Sequence, residues 1–260
     1  MLKFSANLSL LFTELPLPER FAAAKAAGFD AVEVQFPYDF PAPLLKKILR
    51  EQELELVLIN VPTGDLMSGG DGLACVPGRE QQFQDAVAQA ARYAEALDVV
   101  AVNVLPGRQP KGEELLDCLH TLASNLRHAT QAFQSAGVMT TFEAINHYDM
   151  PQFIIHNLAQ MQEMQEIVDH PMLKMQFDIY HMARMGEPIV VSLEENIQNI
   201  GHIQFADLPG RHQPGSGELD FPKLFALIEE LPYHGWCGAE YRPLRETSAS
   251  LNWFAPYRRK

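Results

Sequence analysis

The chain has 260 residues, 47% of them hydrophobic and 20% charged, an ordinary balance for a globular protein long enough to bury a large core. A formal net charge of −13 argues against a nucleic-acid-binding footprint, although local cations could still hold a small anion in a cleft. The cysteines Cys75, Cys118 and Cys237 form no C-x-x-C pair, and no apolar run reaches the ~18 residues of a membrane span.

The opening stretch MLKFSANLSLLFTELP carries one lysine and is interrupted by Ser5, Asn7 and Ser9, so it is not read as a signal peptide. From there, short strand-like runs alternate with longer amphipathic segments. Strand 4–7 precedes helix 18–27, strand 31–35, helix 43–52, strand 56–60 and helix 79–97. Strand 99–103, helix 113–136, strand 138–143, helix 158–168 and strand 174–178 follow. The series closes with helix 193–199, strand 202–206, helix 221–230 and strand 236–240. Gly28, Gly137 and Gly235 stand between a helix and a strand, where a glycine stop belongs. The helix after the sixth strand is weakly written, because Met185-Gly186-Glu187-Pro188 breaks it. Eight strands with helices between them predict a parallel sheet, and at this length closure into a single-domain (β/α)8 TIM barrel over residues 1–260. The irregular stretches 61–78 and 208–219 both follow strands and so belong to the face that carries barrel active sites.

Strand alternation sharpens this picture. A register that turns Phe142, Phe177 and Phe205 outward sends Asn7, Glu33, Asn60, Asn103, Glu143, Asp178, Gln204 and Glu240 inward near the strand ends. A barrel interior filled only for packing would carry Val, Ile and Leu there, and clustered carboxylates without a cation are costly. Glu143, Asp178, Gln204 and Glu240 form an all-oxygen set suited to a divalent metal, Mg²⁺ or Mn²⁺, with no histidine in register among them. His181, three residues after Asp178, would stand beside that set and could polarise a substrate oxygen. Arg211 and His212, in the loop after the seventh strand, could hold a substrate carboxylate. Asn60 and Asn103 could line the pocket, Glu33 could support it from behind, and Arg79 fits a structural role at least as well. The methionines read as core filling, and the G-x-G at Gly215 and Gly217 lacks the context of a dinucleotide fingerprint.

The segments FSANLSLLF, FPYDF, FEAINHYDMP, FDIYHMARM, GHIQFADLPGRHQPGSGELDF and CGAEYRP, in order along the chain, resemble the hydroxypyruvate isomerase family of xylose-isomerase-like TIM barrels. The resemblance implies interconversion of hydroxypyruvate and tartronate semialdehyde through an enediol, within glyoxylate and carbohydrate metabolism. It implies Glu143 and Glu240 as the acid/base pair, Asp178, Gln204, His181 and Arg211 as metal or substrate contacts, and no organic cofactor. The chain departs from the family pattern at Ala144 and at Gly186-Glu187-Pro188-Ile189, and carries Gln204 where wider relatives have histidine. Rival readings are a 2-oxo-tetronate isomerase or related ketose isomerase or epimerase, an abasic-site endonuclease, and a non-catalytic sugar-binding barrel. The expected partner is a small anionic hydroxy-oxo acid in the cytoplasm, with neither nucleic acid nor membrane, and homo-oligomerisation is left open.

Overall fold

Each strand is too short to form an independent layer, and the stable solution is a ring. In the computed structural model, which describes residues 2–258, β1 (Lys3–Asn7), β2 (Ala31–Glu33), β3 (Glu55–Asn60) and β4 (Ala101–Val104) pair in sequence order. β5 (Met139–Glu143), β6 (Leu173–Asp178), β7 (Ile200–Phe205) and β8 (Trp236–Ala239) continue the ring, and β8 pairs back on β1 to close an all-parallel barrel. This is the TIM barrel expected from the alternation; Met1, Arg259 and Lys260 of the expected 1–260 domain lie outside the described residues.

The helices are α1 (Leu17–Ala26), α2 (Ala42–Gln52), α3 (Glu80–Leu97), α4 (Leu115–Gln134), α5 (Leu158–Val168), α6 (Ile179–Arg184), α7 (Ile189–Asn196) and α8 (Phe221–Glu230). Local chemistry sets their ends. Asn157 and Asp220 cap α5 and α8 by accepting from the backbone N–H groups of Gln160 and Lys223. In α8, Phe221, Leu224, Phe225 and Ile228 recur at helical spacing and are the buried stripe facing the barrel. Among the described residues no helix is long and apolar enough to cross a membrane.

The main core lies between barrel and helices. Phe142, Phe177 and Phe205 are fully buried there, as the outward register requires. Phe205 packs edge-on against Phe225 at 5.1 Å and Trp253 at 5.1 Å, contacts worth about 1 kcal/mol each beyond their area.

Differences from the sequence expectation have local causes. The weak helix after the sixth strand is two helices, α6 and α7, parted at Gly186, whose φ is +81°, and Pro188. Gly28 and Gly137 do adopt positive φ after α1 and α4. Gly235 does not: α8 ends at Glu230 with Leu231 extended, so Gly235 is not its stop.

Both long loops cover the C-terminal mouth and are pinned by single carboxylates. Asp65 accepts from Gly72 N–H and pairs with Arg79, whose guanidinium also donates to the Gly72 carbonyl. Asp207 accepts from the N–H groups of Leu208, Gly215, Gly217 and Leu219, folding the loop after β7 back on itself. A Cβ at Gly217 would lie 1.5 Å from the Leu208 carbonyl oxygen, so that closure demands glycine. At the loop's tip Arg211 adopts a φ of +58°, a conformation costing on the order of 1 kcal/mol for a residue other than glycine.

Candidate active site

The strand ends deliver the chemistry. Glu143 ends β5, Asp178 ends β6, Gln204 lies in β7, and Glu240 follows β8; all are at most 5% exposed. Glu143, Gln204 and Glu240 line a cavity of about 370 Å³ at the barrel mouth, together with His181 and Arg211. Asp178 is fully buried behind them.

Beneath this layer lies a second one that the sequence reading passed over. Ser5, Gln176 and His202 precede Asn7, Asp178 and Gln204 by two residues, so period-2 geometry turns them inward as well. Glu33 is the hub. Its Oε1 lies 2.6 Å from Ser5 Oγ and 2.8 Å from His202 Nε2, and its Oε2 accepts from Gln204 at 2.8 Å and Asn7 at 3.2 Å. Burial works to raise the Glu33 proton affinity, but His202 and these donors overcome it and hold the carboxyl below the usual range. Gly238 leaves the room: a Cβ there would lie 2.0 Å from Glu33 Oε1.

The hub reaches both candidate acid/base groups through amides. With its Nε2 anchored on Glu33, Gln204 turns Oε1 to accept from Gln176 Nε2 at 2.7 Å, and that same nitrogen donates to Glu143 Oε2 at 2.5 Å. Asn103 adds a second donor to Glu143 Oε2 at 2.7 Å and also donates to Asn60. Asn7 bridges from Glu33 to Glu240 Oε1, which also accepts from Gln35 at 2.6 Å.

Arg211 places its positive charge between two carboxylates. Its Nη2 donates to Glu240 Oε2 at 2.7 Å and lies 3.6 Å from Asp178 Oδ2, with the guanidinium 5.2 Å above the Tyr180 ring. Arg211 alone does not balance Glu143, Asp178 and Glu240. Burial pushes Glu143 well above the usual carboxylate range, and repulsion from Glu240 and Asp178 adds to it. Burial likewise raises Asp178 to about 7 against the pull of Arg211, with Glu240 pushing further. Glu240 is raised by burial, opposed by Arg211. His181 is held neutral, by burial first and Arg211 second; its Nδ1 meets Asn146 Nδ2 at 2.7 Å and its Nε2 lies 3.5 Å from Asp178 Oδ2.

Ligating atoms of Glu143, Asp178 and His181 lie within 4.8 Å of one another, a buried cluster that could hold a metal ion. The histidine that sequence register left outside the oxygen set therefore belongs to this cluster, because Asp178 caps α6 and the first turn of that helix brings His181 back towards it. Asn60 lines the cavity, and Asn103 supports Glu143 from behind. His212 is not brought in: its Nδ1 contacts the Arg242 carbonyl, outside the cavity lining. Arg79 braces the loop after β3, and the sequence reading missed Gln35, Gln176, Tyr180 and Arg184 on the cavity wall.

Comparison with known proteins identifies the family of the barrel. A family model described as xylose isomerase-like TIM barrel matches residues 21–257. The hydroxypyruvate isomerase of Escherichia coli (strain K12) is 43% identical over 99% of this chain and 100% of its own length. The 2-oxo-tetronate isomerase of Cupriavidus necator is 39% identical over 99% of each. A crystal structure described as AP endonuclease, family 2, from Brucella melitensis superposes with a TM-score of 0.96 at 38% identity, covering 100% of both chains.

Proposed function

The chain belongs to the xylose isomerase-like TIM barrel family, and from that premise we propose that it is an isomerase interconverting hydroxypyruvate and tartronate semialdehyde (2-hydroxy-3-oxopropanoate). The observation that carries this reading is the placement of two buried carboxylates, Glu143 and Glu240, on one small cavity, both with raised proton affinity. The reaction removes a proton from C3 of hydroxypyruvate and returns one to C2, passing through the enediol. A carboxylate with raised proton affinity is a stronger base when ionised and a usable acid when protonated, so each of the two suits a neutral-pH proton transfer. Their environments differ, since Glu143 is held by the amides of Asn103 and Gln176 and Glu240 by Arg211. His181, kept neutral, suits an electrophilic contact to a substrate oxygen without adding charge.

The donor set fits a hard divalent cation, Mg²⁺ or Mn²⁺. Among the described residues Asp178 Oδ2 is buried with no hydrogen-bond partner, and burial, with repulsion from Glu240 and Asp178 added, raises the proton affinity of Glu143. Glu143, Asp178 and His181 would hold such an ion, and Gln204 and Glu240 line the same cavity. When bound, it supplies Lewis-acid stabilisation of the negative charge that develops on the substrate oxygens.

Hydroxypyruvate and 2-oxo-tetronate share a C1 carboxylate, a C2 carbonyl and a C3 hydroxyl, and differ by one hydroxymethyl group on C3. The same proton transfer serves both, which explains how relatives of both names align along the whole chain. Nucleic-acid chemistry is disfavoured by the net charge of −13. The enzyme's setting in this reading is the cytoplasm, with a small anionic acid as its partner.

The test is a ¹H NMR assay in D₂O over three- to six-carbon oxo-acids and ketoses. Hydroxypyruvate should be isomerised with deuterium entering at the exchanging carbon. Glu143→Gln and Glu240→Gln should fold and lose about 10²- to 10⁴-fold in turnover. Full activity in either variant removes the acid/base assignment, and turnover confined to four-carbon acids moves the substrate to 2-oxo-tetronate.

A further inference from the structure

We propose that Arg184 is the group that receives the substrate's carboxylate and gives this site its preference for acids over neutral sugars. The proposal rests on the reading above that the ligand is a hydroxy-oxo acid.

Position comes first. Asp178 caps α6, His181 follows three residues later and Arg184 three beyond that, so successive turns present them on neighbouring positions of one helix face. Arg184 lines the same cavity as Glu143, Glu240 and His181.

Its donors are also uncommitted. Among the described residues no hydrogen bond or ion pair reaches its guanidinium, and its Nε is buried without a partner. The guanidinium carbon lies 5.1 Å from the ring centre of Tyr148, in the loop after β5. A cation–π contact of this kind leaves the guanidinium N–H groups free to meet a carboxylate bidentately. A buried donor without a partner costs free energy until a ligand satisfies it.

The other cations in the cavity are less suited. Arg211 also has an unpartnered Nε, but its charge is matched by Glu240 and Asp178. Drawing Arg211 onto a substrate would strip the partner from a buried Glu240. Arg242 is exposed at the rim, where water screens it. A substrate anion entering among Glu143, Asp178 and Glu240 would meet repulsion unless a free cation stood apart from them. Arg184 is half-buried and meets that condition.

The experiment measures binding of glycerate, a three-carbon hydroxy acid that cannot isomerise, and of glyceramide, its neutral amide, by calorimetry. Wild type should favour glycerate by at least about 10-fold, within the range of a charge-assisted hydrogen bond. Arg184→Gln and Arg184→Met, which remove the charge while keeping much of the stem, should each lose about 10- to 100-fold in glycerate affinity but little for glyceramide. Arg184→Lys should recover part of the preference. Equal losses for both ligands would mean a structural role and overturn the proposal, as would a preference unchanged in the variants or absent from wild type. Hydroxypyruvate turnover is measured alongside. If wild type binds glycerate through Arg184 yet isomerises no acid, the isomerase reading falls and the anchor stands.

Discussion

Replacing Asp178 by Asn should stabilise the metal-free protein at pH 8, although the residue stands at the centre of the proposed site. Asp178 is fully buried; its Oδ1 caps α6 by accepting from Tyr180 N–H at 2.8 Å, and its Oδ2 has no hydrogen-bond partner among the described residues. Asparagine keeps the cap and removes the charge. Its new NH2 would face the Nε2–H of neutral His181, whose Nδ1 accepts from Asn146, and the Arg211 guanidinium, so these donor–donor contacts offset part of the gain. Burial holds the Asp178 carboxyl at about 7 against an ordinary 3.8, with Arg211 opposing and Glu240 adding. That gap corresponds to a ceiling of about 4 kcal/mol. Repulsion is shared with Glu143 and Glu240 and part of the relief passes to them, so the expected gain is about 1–3 kcal/mol. The sign follows from linkage. The folded value lies above the unfolded one, so this carboxyl's contribution is fully present below the unfolded value and is lost as pH rises through about 7. The variant lacks that loss, and its advantage should grow from small near pH 4 to full above pH 7. Urea unfolding of chelator-treated wild type and variant between pH 5 and 8.5 measures it. A variant no more stable than wild type at pH 8, or a difference that does not change with pH, would refute the electrostatic account.

Metal binding should reverse the same penalty. Titration of Mg²⁺ or Mn²⁺ into the chelated protein at pH 6.5, in buffers of different ionisation enthalpy, should show proton release, with affinity rising as pH rises. No release would mean that Glu143 and Asp178 are already ionised. Gly238→Ala tests the layer below: its Cβ would meet Glu33 Oε1 at 2.0 Å and force the carboxylate off Ser5 and His202. The expected cost is on the order of 3 kcal/mol in urea unfolding, and a neutral outcome would show that Glu33 is free to move.

The barrel was legible because its strands and helices differ in period and because Phe142, Phe177 and Phe205 fix which face is outside. The errors fall where those signals thin out. Strand β4 begins at Ala101 rather than Val99, because the Val99 N–H turns back to Ala94 and belongs to the end of α3. Helix α6 has six residues, too few for periodicity to register, and its N-cap is a site carboxylate, so the sequence shows chemistry where the backbone shows a cap. The ends of α2, α3 and α5 fall where expected, although their left-handed stops at Glu53, Asp98 and Asp169 are not glycine.

In the site, the upper ring of polar groups followed from alternation, and the same rule applied two residues earlier leads to Ser5, Gln176 and His202. They were passed over because a polar residue deep in a barrel reads as an anomaly until its partners on other strands are known: Glu33 for Ser5 and His202, Glu143 and Gln204 for Gln176. The allocation of cations lies further from the sequence. Arg211 and Arg184 are equally plausible anion binders by residue type. What separates them is the loop after β7, folded by Asp207 and turned at a left-handed Arg211 so that the guanidinium falls on Glu240. No spacing rule anticipates that closure, because it depends on four backbone N–H groups converging on one carboxylate. Once Arg211 is committed there, the arginines left on the cavity wall are the exposed Arg242 at the rim and the half-buried Arg184 on α6, three residues beyond His181.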